Sequence, residues 1–165
     1  MTVTLSLVVG FDGSTSKGGS SRGISSPADT ERFLERRRSA DCIIIGGNTA
    51  RNEPYQRTPA PLVVLSRSLV NPIPGNHLAH VWNLSAREAI ERATRIFGPE
   101  IHVEAGLSII QELLTANLID RLELSQTNIS GGENVIDLQS LLAQFEVVEV
   151  SEVDGTTFTS ARRKI

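Results

Sequence analysis

Apolar residues in this chain follow two rhythms. Compact runs at Cys42-Ile43-Ile44-Ile45, Leu62-Val63-Val64-Leu65, Val81-Trp82 and Ile101-His102-Val103 read as buried strands, and the alternation of Val3, Leu5 and Leu7 with Thr4 and Ser6 reads as a strand over residues 1–9. Stretches with helical spacing lie between them. Ser26, with Pro27 at the first helical position and Asp29 in the first turn, predicts a helix to about Arg38. Ser85-Ala86-Arg87-Glu88 is a capping box, with Ile90, Ala93 and Phe97 on one apolar face and Gly98-Pro99 as the stop. Ser108-Ile109-Ile110-Gln111 has the same spacing and predicts a helix that turns Leu113 and Leu114 inward.

Beyond residue 120 the rhythm changes. Arg121 to Gln126 and Phe145 to Val150 read as strands and Asp137 to Leu142 as a short helix. Asp154-Gly155 is a strong two-residue hairpin turn, so the last two strands are expected to be antiparallel. The pattern predicts an α/β fold, a mainly parallel sheet flanked by helices on both faces with an antiparallel C-terminal hairpin. The length of 165 residues fits one domain, residues 1–165, with a substantial core.

Two stretches share a grammar that points to chemistry. The runs ending at Gly46-Gly47-Asn48-Thr49 and at Glu104-Ala105-Gly106-Leu107-Ser108 each carry an apolar strand into glycine and then into the start of a helix. In an open α/β sheet, ligands lie beyond the carboxyl ends of strands, where glycine admits close approach and a helix start offers unpaired N–H groups to an anion. Two such turns suggest a phosphorylated ligand such as a dinucleotide. Residues 11–23, with Gly13, Gly18, Gly19 and Gly23 among serines, form a long loop of the kind that serves as a functional flap or is disordered.

Composition narrows the class. A net charge of −3 and 21% charged residues leave no general footprint for nucleic acid or membrane. Cys42 is the only cysteine, so no internal disulfide is possible, and a reducing cytoplasm is expected. The first residues lack the basic start and long apolar run of a signal peptide. No G-x-G-x-x-G is present, and Gly13 and Gly18 have Walker A spacing but Gly19 stands where lysine is needed. His77 and His80 have no nearby partner ligands, so no metal is expected.

The order of short motifs resembles the C-terminal reductase domain of bacterial riboflavin-biosynthesis deaminase/reductase proteins, within the dihydrofolate-reductase-like superfamily. The matching pieces are Phe11-Asp12-Gly13, Ser21-Arg22-Gly23-Ile24-Ser25, Arg37-Arg38-Ser39-Ala40-Asp41-Cys42-Ile43, Gly46 to Thr49, Glu53-Pro54, Arg57, Val63-Val64-Leu65-Ser66, Val103-Glu104-Ala105-Gly106 and Leu118 to Leu124. The likeness runs from about residue 5 to the C-terminus. Two departures face the expected site mouth: Ser14 where the family usually has lysine, and Gly23 where many members carry tryptophan or another bulky residue.

The resemblance implies an NADPH-dependent reductase acting on a ribosylamino-pyrimidine small molecule, as a homodimer. It places Val8, Gly23, Thr49, Asn52, Glu53, Ser66, Arg67, Gly106, Leu107 and Ser108 at cofactor contacts, Ser66-Arg67 meeting the 2′-phosphate beside the Gly106 turn. It places Ser21, Arg37, Arg57 and Glu104 at the substrate, the guanidinium groups on its phosphate and Glu104 on its base, with Asp12 and Glu104 as catalytic candidates. The residues alone leave other readings open. Arg37 lies in a run of three arginines at a helix C-terminus, Thr49 could cap a helix, and Asp12-Gly13 is a common turn pair. A dihydrofolate- or pterin-type reductase and a non-catalytic NADP-binding module remain alternatives.

Overall fold

The structure, a computed structural model, describes residues 1–165. Eight strands form one mixed sheet flanked by helices, and the chain divides into two compact units. The first unit holds Met1–Thr4 and Arg36–Ile119. The second holds Leu5–Glu35 and Asp120–Ile165, so strand β1 (Thr2–Val9) contributes to both.

In the first unit the strands are parallel and follow the order β4 (Ala79–Trp82), β3 (Leu62–Leu65), β2 (Cys42–Gly46), β5 (Glu100–Val103). All of β2 is buried, as expected where both faces of a parallel strand are covered. Three helices belong here, α2 (Gly47–Asn52), α3 (Ala86–Ile96) and α4 (Leu107–Thr115). Ser85 and Glu88 complete the expected capping box of α3, and Gly98 leaves its end with φ of 137°. Helix α4 departs from expectation at its start. Its N-cap is Gly106, not a Ser108–Gln111 box, because β5 ends at Val103 and the chain needs only the 104–106 turn to enter the helix. Leu113 is buried as predicted, while Leu114 is half-buried.

In the second unit, helix α1 (Pro27–Arg38) begins as read from the sequence, Ser26 Oγ accepting from Asp29 N at 3.1 Å; its last three residues pass into the first unit. Strands β6 (Arg121–Gln126), β8 (Thr156–Arg163) and β7 (Phe145–Val153) lie in that order and pair antiparallel. Asp154 and Gly155, with φ of 50° and 80°, form the predicted hairpin turn. Asp137 caps the short helix α5 (Leu138–Leu142), its side chain accepting from Ser140 N.

Residues 11–23 are neither a free flap nor disordered. Ser16 bridges Glu133, with Thr15 N donating to Glu133 O at 3.1 Å and Glu133 N to Ser16 O at 2.7 Å, and Lys17 Nζ reaches Ser130 O at 2.8 Å. The long loop is zipped to a second one. No helix is long and apolar enough to cross a membrane.

Candidate active site

In the first unit the two glycine turns come side by side. Register pairs Ile44 with Val103, and Glu104 N donates to Ile44 O at 3.0 Å, so β2 and β5 end level. A Cβ on Gly46 would sit 3.0 Å from Ile109 Cδ1 of α4. Both Gly46 and Gly106 are helix N-caps in extended backbone, and neither helix start receives a side-chain cap. Positive φ therefore does not explain these glycines. A Cβ on Gly106 would meet nothing within 4 Å, which leaves an open cradle in front of uncapped N–H groups.

Ser66 belongs to this rim but not where the sequence suggested. It follows β3, its N–H donates to Trp82 O at 3.1 Å, and its Oγ lies 3.4 Å from where a Cβ on Gly47 would be. Strand β2 stands between β3 and β5, so Ser66 and the exposed Arg67 neighbour the Gly47 turn and stand two strand spacings, roughly 10 Å, from the Gly106 turn. Thr49 is half-buried on α2, Asn52 is exposed at its end, and Glu53 is its C-cap, donating N–H to Thr49 O at 3.0 Å. Leu107 and the exposed Ser108 form the first turn of α4. The donor set suits the phosphates of a dinucleotide: free helix-start amides with room before them, and a hydroxyl and an exposed guanidinium farther along the rim.

Glu104 anchors the interior of this unit. Its Oε1 accepts from Arg37 Nε at 2.8 Å, and its Oε2 accepts from Arg37 Nη2 at 2.7 Å and from Tyr55 Oη at 2.6 Å. The side chains of Arg37 and Glu104 are 9% and 3% exposed. The guanidinium also stacks over the Tyr55 ring, 4.8 Å from its centroid. Burial opposes the charge on Arg37, but the hydrogen bonds and charge of Glu104 outweigh it and raise its pKa. Burial, and then the Glu104 charge, push the Tyr55 phenol well above its ordinary range, so it stays a donor. His102 Nε2 lies 3.7 Å from Glu104 Oε1, and burial brings its pKa down to about 4, so at neutral pH it is an uncharged neighbour.

This arrangement reshapes two expectations. Arg37, read as a phosphate ligand, is turned inward as the fork that holds Glu104. Glu104, read as the acceptor for a substrate base, has one lone-pair position left, on Oε1. The structure brings Arg37 and Glu104 together and leaves Arg57 exposed on the loop between α2 and β3. Tyr55 is the residue the sequence reading missed. The chain's only tyrosine, it sits beside Pro54 in a segment without periodicity, and no local signal marks it.

The remaining predicted residues lie in the second unit. Asp12 accepts from Ser14 Oγ and from Ser14 N at 3.1 Å on one oxygen, and from Gly131 N at 2.9 Å on the other. The Ser14 hydroxyl first, then the Gly131 and Ser14 amides, hold its carboxyl at about 2. Ionised and acceptor-only at neutral pH, Asp12 clamps two loops and has no proton to donate. Ser14 is buried and its Oγ accepts from Gly132 N at 3.1 Å, so this position has no room for the family's lysine. A Cβ on Gly23 would come 2.3 Å from Lys17 O, which explains why no bulky residue stands there. Ser21 starts a short 3-10 turn and Val8 is half-buried on β1.

The RibD C-terminal domain family matches residues 1–158. The chain belongs to that family. Among curated proteins none matches the chain. Among solved structures it is similar to a diaminohydroxyphosphoribosylaminopyrimidine deaminase/5-amino-6-(5-phosphoribosylamino)uracil reductase from Thermotoga maritima, with a TM-score of 0.76 at 16% identity over 99% of this chain and 56% of that one. It is similar also to a pyrimidine reductase-like protein from Corynebacterium diphtheriae, with a TM-score of 0.75 at 17% identity over 99% of this chain and 92% of that one. The chain therefore spans a little over half of the Thermotoga protein and nearly all of the Corynebacterium one. Dihydrofolate-reductase-like architecture, predicted from the motifs, is the fold these relatives share.

Proposed function

We propose that this RibD-type domain is an NADPH-dependent reductase that delivers hydride to a ribosylamino-pyrimidine, in the manner of a 5-amino-6-(5-phosphoribosylamino)uracil reductase. The observation that carries the reading is the pair of uncapped glycine turns on neighbouring parallel strands, with open space at Gly106. Membership of the family and the names of its structural relatives support the substrate class.

When bound, the nicotinamide supplies hydride from its C4. The chain's part is placement. The N–H groups at the start of α4 and α2 take the pyrophosphate, and Ser66 and Arg67 take the adenosine 2′-phosphate, which favours NADPH over NADH. Arg57 is the cation for the substrate phosphate. Arg37 and Tyr55 fix Glu104 in one rotamer, so that its remaining acceptor position is held for a substrate N–H. A cytoplasmic homodimer completes the reading, and the exposed Val147, Val148 and Val150 of β7 supply apolar surface for a second copy.

Turnover tests it. Loss of reduced-cofactor absorbance is expected with NADPH and a 5-phosphoribosylamino-pyrimidine, and not with a dihydropterin. Turnover of the pterin alone moves the protein to the pterin-type alternative, and NADPH binding with no turnover of either makes it a binding module.

A further inference from the structure

Tyr55 and Asn76 fasten the loop that carries Arg57. The loop leaves α2 at Glu53 and enters β3 at Leu62. On one side of Arg57, the Tyr55 hydroxyl is tied to Glu104 at 2.6 Å and the Tyr55 carbonyl accepts from Asn76 Nδ2 at 2.8 Å. On the other side, the same Nδ2 donates to Thr58 Oγ1 at 3.1 Å, and Thr58 Oγ1 donates to Ala60 O at 2.9 Å. Asn76 Oδ1 accepts from Leu78 N at 2.9 Å, so both ends of the amide are used and its orientation is fixed by its partners. Tyr55 is 4% and Asn76 6% exposed.

Arg57 between these ties is exposed and makes no hydrogen bond or ion pair within the protein. The Tyr55 ring packs in the core with Ile43, Ile45 and Ile73, so the segment is held to the body of the unit just before Arg57 and, through Asn76, just after it. Ordering a loop before binding removes that entropy cost from the binding step, which is what a preorganised anion site requires. We propose that Tyr55 and Asn76 are positioning residues that hold Arg57 for the phosphate of the substrate, and so set the preference for a phosphorylated over an unphosphorylated pyrimidine. The inference rests on the reading above.

The test compares wild type with Arg57→Ala, Tyr55→Phe and Asn76→Asp. Tyr55→Phe removes one oxygen and keeps the ring under Arg37; Asn76→Asp keeps the acceptor for Leu78 N and removes the donors. KM is measured for the ribosylamino-pyrimidine with and without its 5′-phosphate, and ribose 5-phosphate binding to the NADPH-loaded protein is measured by calorimetry. Arg57→Ala and Asn76→Asp are each expected to raise KM for the phosphorylated substrate and weaken ribose 5-phosphate by about tenfold, with the unphosphorylated substrate and NADPH affinity changed by less than about threefold. Tyr55→Phe, whose hydroxyl also holds Glu104, is expected to weaken ribose 5-phosphate by the same factor and to raise KM for both substrates, more for the phosphorylated one. Tyr55→Phe alone decides the matter if Asn76→Asp does not fold. Wild-type values in Tyr55→Phe beside a loss in Arg57→Ala overturn the inference alone, as does an equal loss on both substrates. A wild type indifferent to the 5′-phosphate overturns the substrate reading, and the inference with it.

Discussion

Arg37 and Glu104, 67 residues apart in sequence, meet in a two-point fork, Nε on Oε1 at 2.8 Å and Nη2 on Oε2 at 2.7 Å. Planar guanidinium and carboxylate match at both ends, and the Tyr55 hydroxyl fills a third position. This pair ties the C-terminal end of α1 to the turn that leads from β5 into α4, so it bears on the candidate site through position rather than through contact with a phosphate.

Removing one partner leaves the other buried and charged without its counterion. Glu104→Gln and Arg37→Leu are each expected to lower stability by about 3–5 kcal/mol, and the double replacement by less than the two losses added together. Urea unfolding of the four proteins measures this. Single losses below about 1 kcal/mol, the level of an exposed pair, would contradict the buried fork.

Gly106 separates binding from folding. Its φ of −75° and ψ of 174° suit any residue, and a Cβ there meets nothing in the protein. Gly106→Val is therefore expected to keep the thermal midpoint of wild type while losing NADPH binding. Fluorescence titration beside a melting curve checks both. Unchanged NADPH affinity in a folded variant would move the cofactor away from α4.

Arg67 tests the choice of cofactor. Exposed beside Ser66 at the end of β3, it is free to meet a 2′-phosphate. Arg67→Ala is expected to weaken NADPH by roughly tenfold or more and to leave NADH nearly unchanged. Equal affinities for NADPH and NADH in the wild type would remove this role.

The fold was legible where its signals are local. Ser26, the Ser85–Glu88 box, the Asp154-Gly155 turn and the run Cys42 to Ile45 each act within a few residues, and each element forms where its residues direct. What was not legible depends on distance in the chain. The clasp of residues 11–23 onto Glu133 and Gly132 joins segments more than a hundred residues apart, so Ser14 looks like a plain departure from the family until Gly132 N is seen against it. At the site, Arg37 and Glu104 were both singled out, but as partners of a ligand and not of each other. Tyr55 and Asn76 lie in irregular loops, where neither periodicity nor capping gives a residue away. Gly106 displaced Ser108 as the α4 cap because the helix begins as soon as the turn from β5 allows.

His102 gives the pH dependence. Burial first, with the Arg36 and Arg37 charges adding and Glu104 opposing, lowers its pKa from an ordinary 6.5 to about 4 in the folded protein. Above pH 6.5 the imidazole is neutral in both folded and unfolded chains and contributes no slope. Between about 6.5 and 4 the unfolded chain takes up a proton that the folded one refuses, so stability falls as pH falls, by about 3 kcal/mol across the window. Asp12, held at about 2 by Ser14 and Gly131, adds a further loss of stability only at lower pH, as that carboxylate is protonated. Urea midpoints from pH 7 to pH 4 are therefore expected to drop for wild type and to drop less for His102→Gln, which keeps a polar side chain but cannot titrate. Parallel profiles for the two proteins would mean that the imidazole has the same pKa folded and unfolded, and a smaller drop in wild type than in His102→Gln would mean that Glu104 at 3.7 Å holds it protonated as an ion pair instead of a neutral neighbour.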